Sequence, residues 1–317
     1  MGVVSGKSKL STEQHAASEA GFHRSWYPVA LARDLAPGSL IGRDFLGTRV
    51  VAYRDGAGKA VVQSAWCPHL GADLSLGQLA DGRLRCPYHH WSFDANGQCA
   101  RIPTGDRIPA AARIFTYPTE EAWGLVWAFN GERPDFDLPR IPGADERTIV
   151  YETHDRGRRP WDTWVAVSNG VDFQHLLTLH GMPAVSVPER LEVEAGGIEF
   201  RVESPHHLQH GRITGTNVFA QHLRLGGNDM FMLFCGAPIE PGSSSGYLVV
   251  GVPREAAEKL PAVFAMADRL NEEDTPVLST MRFRRGLLTA SDHHLATYFR
   301  YVEEFPCFVP PLSSRAG

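Results

Sequence analysis

The chain has 317 residues, of which 43% are hydrophobic, and a net charge of −5; a core of that size suggests about two domains, and mild acidity points away from nucleic acid and anionic membrane surfaces. No apolar run approaches the roughly 18 residues of a membrane span, and the N-terminal stretch lacks the apolar segment of a secretory signal. Five cysteines, an odd number, argue against a disulfide framework and make a reducing cytoplasm the expected setting, with thiols free to bind metal.

Residues 1–21 read as a flexible tail. GVVSGKS is one residue short of phosphate-loop spacing and follows no strand, so Gly2, Gly6 and Lys7 carry no nucleotide site. Gly6 also breaks the myristoylation pattern. Residues 48–53 are β-branched and aromatic, RDGAGK is a turn, and 60–65 is the returning strand of a hairpin. Tight turns follow at ADG (80–82) and DANG (94–97), and AWGLVWAF (122–129) restores a strong strand signal. FNGERPDFDLPRIPGADER (129–147) reads as a linker.

Beyond the linker the texture changes. Residues 163–181 carry apolar side chains at helical spacing through Val165, Val171, Leu176 and Leu179. Residues 190–252 look like antiparallel strands separated by GG, GGND and PGSSSG. Residues 255–286 read as a helix, and HHLATYFRY as another with Asp292 as its N-cap. The expected class is α+β: an all-β N-terminal domain, then a second domain of antiparallel sheet and helices.

The segment WCPHLGADLSLGQLADGRLRCPYHHW (66–91) holds two Cys/His pairs, Cys67 with His69 and Cys86 with His89. Zinc accepts two thiolates and two imidazoles, but zinc fingers usually place both cysteines first. A Rieske [2Fe-2S] cluster takes two cysteines on one iron and two histidines on the other, so each loop can supply one ligand to each iron. Cys99, Cys235 and Cys307 lack such spacing and read as ordinary thiols. His90 is expected to pack or hydrogen-bond beside the centre.

On this motif, C-P-H-x16-C-P-Y-H, residues 22–130 resemble the N-terminal domain of the Rieske non-heme iron oxygenases, in the short homotrimeric type. Two positions depart from the family habit. Leu70-Gly71 stands where Arg-Gly is frequent, and His90-Trp91 where Gly-Trp is frequent. The domain boundaries that follow are 1–21 tail, 22–130 Rieske domain, 131–150 linker and 151–317 mononuclear-iron catalytic domain.

NGVDFQHLLTLH (169–180) supplies the second half of the resemblance. His175 and His180 would splay by about 140° on a strict helix and converge where the helix loosens or ends near Gly181. Two imidazoles with one carboxylate form the facial triad of non-heme Fe(II) oxygenases. Asn169, Asp172, His175 and His180 fall on the family's catalytic positions, and the resemblance implies that His175 and His180 bind iron. The carboxylate is expected from NEEDTPVLSTMRFR (271–284). Asp274 is the choice, just before a helix that Pro276 would open; Glu273 and Asp292 are alternatives.

The resemblance further implies a homotrimer in which Asp172 links His175 to His89 of the next subunit. No G-x-G-x-x-G or flavin signature is present, so electrons must come from a separate NAD(P)H reductase, with or without a ferredoxin. Val165, Val167, Leu176, Leu177 and Met182, with Met230, Met232 and Phe234, would line an apolar pocket or form plain core. The expected activity is O2-dependent hydroxylation or oxidative demethylation of a small aromatic, heterocyclic or otherwise apolar substrate. Ring dihydroxylation, an electron carrier without turnover, and a zinc-structured binding protein are the other readings.

Overall fold

The computed structural model describes residues 21–182, 187–205, 207–284 and 286–311. The tail expected over 1–21 therefore lies outside the described residues except for Gly21, as does His206. Contacts divide the chain into two units. One comprises residues 20–138 together with the segment from Cys307 onward, and the other comprises residues 139–306.

The first unit is built from short antiparallel strands. Thr48–Arg54 pairs with Ala60–Ser64 across a turn in which the Asp55 carboxylate accepts the Ala57 and Lys59 amides at 2.9 Å. Ile41–Phe45 and Thr116–Tyr117 complete that sheet, and Trp26–Leu31, Leu125–Phe129 and Thr119–Ala122 form a second. Trp26–Leu31 and Leu125–Phe129 are buried along their whole length, so they read as apolar runs rather than alternating strands. A smaller sheet of Gln78–Ala80, Arg83–Arg85, Ser92–Phe93 and Cys99–Arg101 carries one of the two Cys/His loops.

The unit is closed by a strand from the far end of the chain. Cys307–Phe308 pairs with Phe22–His23. The buried Asn130 side chain donates to the carbonyls of Phe22 (2.9 Å), His23 (3.1 Å) and Phe308 (3.2 Å).

The second unit is organised on a seven-stranded antiparallel sheet. Its order is Ile149–Arg159, Ser243–Pro253, Asn228–Glu240, Val218–Leu225, His207–Thr214, Gly197–Ser204 and Glu192–Glu194. Among the described residues four α-helices accompany it: α1 (Thr163–Ser168), α2 (Phe173–Thr178), α3 (Leu260–Thr280) and α4 (His293–Glu304). Leu260, Val263 and Ala267 of α3 pack on Met230, Met232, Val250 and Val252 of the sheet. Met230 and Met232 thus belong to the core. Tyr298 and Tyr301 of α4 tie the helices down by donating to the carbonyls of Trp164 (2.8 Å) and Gly215 (3.0 Å).

Several local expectations are corrected. The span 163–181 is not one helix: α1 passes into a 3-10 turn, Asn169–Val171, and Asp172 (φ −92°, ψ 86°) breaks the chain before α2. The helix expected over 255–286 is a 3-10 turn, Arg254–Lys259, followed by α3, which stops at Thr280. Pro276 lies inside α3 instead of opening a helix. Its exposed ring forgoes one backbone bond, while the Thr275 hydroxyl donates to the Asn271 carbonyl at 2.7 Å. Asp292 does not cap α4 with its side chain. It is the third residue of a capping box and accepts the Thr289 amide at 2.7 Å.

Two predictions follow from these contacts. Asn130→Ala should cost about 1–3 kcal/mol by removing the donor that the partly buried Phe22 and Phe308 carbonyls share. Asn130→Asp should cost more, because a carboxylate meets the same carbonyls; chemical denaturation monitored in the first unit checks the order. Glu199 sits opposite Arg212 and contacts His210, Arg212 and Arg140. Burial alone would raise its carboxyl, but hydrogen bonds from His210 and Arg212 hold it below the ordinary value. Its stabilisation is therefore present above the unfolded carboxyl range, about 4.3, and is lost as pH falls through the lowered folded value. Melting of Glu199→Gln should fall below wild type at neutral pH and converge with it in acid.

Candidate metal centres

The two Cys/His loops of the first unit are each pinned by backbone bonds. The Cys67 amide donates to the Ala72 carbonyl and the Gly71 amide to the Cys67 carbonyl, at 2.9 and 2.8 Å. The Cys86 amide donates to the Trp91 carbonyl at 2.9 Å, closing the tip between Arg83–Arg85 and Ser92–Phe93. Asp73 fixes the first loop, accepting the Ser75 amide at 2.8 Å and Arg49 Nε at 2.8 Å.

The four side chains are sorted by burial. Cys67 and Cys86 are each 2% exposed, whereas His69 and His89 are exposed. The imidazole centroids lie 4.6 Å apart, and Trp91 stacks on His69 at 4.5 Å with an interplanar angle of 6°. Burial pushes the Cys67 thiol up to about 12, and the adjacent Cys86 adds to the rise. Two buried thiols side by side fit a cationic metal pair, which would hold them as thiolates. Imidazole ligands at the surface suit the second iron of a Rieske cluster. Cys99 lies in the same core cluster as the two thiols, without the paired loop that would make it a ligand.

His90 occupies the left-handed region, φ +57°. That geometry explains why glycine is frequent at this position in the family. Histidine is among the residues that tolerate it best. His90 is exposed and, among the described residues, its imidazole makes no hydrogen bond, so the expected packing role is corrected.

In the second unit His175, His180 and Asp274 each offer a ligand atom, all within 4.8 Å of one another. The break at Asp172 and the left-handed Gly181 (φ +61°) bracket α2, so His180 leaves the helix after Thr178 and turns back towards His175. The ring centroids are 5.0 Å apart at 75°. Asp274 comes from α3, where Leu270, Asn271, Asp274 and Leu278 share the face towards one cavity.

Each histidine has one ring nitrogen engaged away from the triad. His180 Nδ1 meets Glu273 Oε2 at 2.7 Å, which leaves Nε2 facing Asp274 Oδ1 at 3.2 Å. His175 Nδ1 meets the Asp172 backbone carbonyl. Such contacts fix the tautomer and free the other nitrogen as a ligand. The hydrogen bond from His180, joined by Arg269, holds the Glu273 carboxyl below its usual value. Glu273 thus orients a histidine rather than completing the triad. Burial raises the Asp274 carboxyl despite the opposing influence of His180, His175 and Asn169. A partly buried carboxylate beside two imidazoles gains most from a cation, so the donor set fits a ferrous ion.

The Asp172 carboxylate accepts the Gln174 and His175 amides at 3.2 Å, capping α2, and lies 4.0 Å from His175 Nδ1, while the main-chain carbonyl of Asp172 meets the same nitrogen. Asp292 is committed to Thr289.

A cavity of about 950 Å³, open mouth included, adjoins the triad. Val167, Leu176 and Phe234 line it as expected, joined by Phe219, Leu248 and Trp161. Val165, Leu177, Met182, Met230 and Met232 do not contribute. Val165 is buried elsewhere and Leu177 is 53% exposed. Sequence reasoning missed Arg156, Arg159 and Gln221, which reach the wall from distant strands and carry no motif.

A model of the Rieske [2Fe-2S] domain matches residues 25–118. The chain is 26% identical to the probable 3-ketosteroid-9-alpha-monooxygenase oxygenase component of Rhodococcus rhodochrous, over 96% of this chain and 85% of that protein. It spans less than half the length of the other curated relatives compared. Among solved structures, NdmB of Pseudomonas putida CBB5 aligns with a TM-score of 0.75 at 20% identity, covering 89% of this chain and 90% of that one. Dicamba monooxygenase bound to dicamba aligns with a TM-score of 0.71 at 22% identity, covering 90% and 98%. At those identities the likeness speaks for the fold. No helix among the described residues is long and apolar enough to cross a membrane. Domain match, fold and relative agree: the chain carries a Rieske [2Fe-2S] domain and is similar, in fold and along nearly its whole length, to Rieske-type oxygenase components.

Proposed function

We propose that Cys67, His69, Cys86 and His89 hold the [2Fe-2S] cluster and that His175, His180 and Asp274 hold the mononuclear iron. The reaction would be monooxygenation, with or without demethylation, of a small organic substrate in the adjoining cavity. The observation that carries this reading is the convergence of three ligand atoms within 4.8 Å at the wall of a largely apolar cavity. When bound, the two iron centres would supply electrons one at a time and the activation of O2.

The chain's own residues then have distinct tasks. Glu273 accepts the His180 Nδ1 proton and fixes the ring, and the Asp172 carbonyl does the same for His175. Asn169 lines the cavity beside Asp274 and favours its ionised carboxylate. Phe219, Phe234, Leu248 and Trp161 exclude water from the substrate's apolar body. His69 and His89 present exposed edges beside Leu70 and Tyr88, which are 66% and 64% exposed. That surface suits an approaching redox partner. A separate reductase is implied by the oxygenase-component relative. The ferredoxin, the cytoplasmic setting and the homotrimer, with Asp172 reaching His89 of the next subunit, belong to this proposal through the family resemblance.

The first test is EPR on protein purified without oxygen, before and after dithionite, with iron and acid-labile sulfide counted on the same sample. A rhombic low-g signal with one iron per chain beyond the cluster pair is expected. His175→Ala should keep the signal and lose that extra iron and turnover. Zinc in place of iron, with no signal, would sink the reading. Asp172→Asn keeps a side chain that caps helices well while removing the charge. It should retain both metals and the melting temperature yet slow re-oxidation of the reduced cluster by about tenfold or more; wild-type turnover would rule out the bridging role.

A further inference from the structure

The cavity beside the triad is not uniformly apolar. Two arginines of Ile149–Arg159 reach its wall, Arg156 and Arg159. Residues three apart on a regular strand face opposite sides. Here the pairing register shifts between Asp155 and Gly157, leaving Arg156 as the extra residue. Gly157 is left-handed at φ +70°, and the Asp155 carboxylate accepts its amide at 2.7 Å. The bulge re-aims the strand so that both guanidinium groups line one cavity, a use of bulges met beside active sites.

The two cations differ in what balances them. Arg156 is ion-paired with Asp268 of α3. Arg159 has no hydrogen bond or ion pair among the described residues. Its stem lies along Gly246, with Cγ 3.4 Å from where a Cβ would stand, and its guanidinium lies 5.8 Å from the Trp161 ring centroid. Burial and the neighbouring Arg156 push its pKa down, while Asp268 and Asp155 act in the opposite sense without touching it. A half-buried guanidinium with five donors and no direct partner among the described residues suits a planar monoanion.

We infer that the substrate is a small organic acid whose carboxylate is held by Arg159 while its apolar body lies against Phe219, Phe234 and Leu248. This deepens the reading of the cavity as the substrate site and rests on it. Trp161 lies over the guanidinium at 5.8 Å, and the N–H donors of Arg159 are left for a two-point contact with the carboxylate. Arg156, neutralised by Asp268, keeps the wall from favouring a dianion. The anchor fixes which end of the substrate can face His175, His180 and Asp274, so the oxidised carbon lies away from the acid group.

Calorimetric titration of the oxidised holoenzyme without reductant tests this. The probes are benzoate, phenylacetate and 1-naphthoate, each beside its carboxamide. At least one acid should bind about tenfold or more tightly than its amide. Arg159→Gln should erase that preference while leaving amide affinity unchanged, which also shows that the cavity is intact. Arg159→Lys should retain only part of it. Equal affinities in every pair, no binding by any acid, or a preference that survives Arg159→Gln would overturn the inference. If the glutamine variant loses amide binding too, the lysine variant decides: a preference cut severalfold upholds guanidinium recognition and an unchanged one overturns it. The same samples, reduced and given O2, separate this from the oxygenase reading. Arg159-dependent binding without product would leave the anchor standing and sink the activity.

Discussion

His180 meets neighbouring residues of one distant helix at both ring nitrogens: Glu273 engages Nδ1 at 2.7 Å, and Asp274 lies 3.2 Å from Nε2, the nitrogen left free as a ligand. That double contact is the constraint on which the second unit turns. It requires α3 to lie against the sheet through Leu260, Val263 and Ala267, with the face of Asp274 turned to the cavity. It also requires α2 to end early enough for His180 to swing back towards His175. The break at Asp172 and the left-handed Gly181 meet the second requirement.

The two centres solve opposite burial problems. At the Cys/His loops the thiols are buried and the imidazoles exposed, so the groups able to become anionic lie away from water and the neutral rings face outward. At the triad His180 and Asp274 are shielded and a cavity replaces bulk water on the open side. An electron partner needs a surface, whereas a substrate needs a pocket. Each unit supplies the one its chemistry calls for.

The local part of this arrangement was legible in the sequence. Cys67, His69, Cys86 and His89 sit in one short window, and Asn169 to His180 in another, so spacing alone brings each set together. The hairpin over 48–64 was equally plain, because Asp55 and Gly58 are strong turn formers. What escaped is non-local or depends on backbone geometry. Pro276 reads as a helix start, yet an exposed proline costs α3 one hydrogen bond that tertiary packing outweighs. Asp172 reads as part of a continuous helix, but its carboxylate competes for free amides and ends one helix to begin the next. Arg159 carries no motif, because its role depends on a bulge one turn of strand away. Met230 and Phe234 alternate identically on paper, yet both touch the core under α3 and only Phe234 also lines the cavity.

The strand Cys307–Phe308, paired with Phe22–His23 and held by Asn130, has a consequence for how the chain is made. Synthesis runs from the N-terminus, and domains commonly fold as they emerge. The unit that holds the Cys/His loops is begun first, yet its closing strand emerges only after the whole sheet and all four helices of the other unit. Residues 20–138 spend nearly all of translation with the Phe22–His23 edge unpaired, and an open edge is a template for mispairing. Completion of that unit is thereby coupled in time to synthesis of the other, so that a chain interrupted before Cys307 leaves the first unit without its last strand.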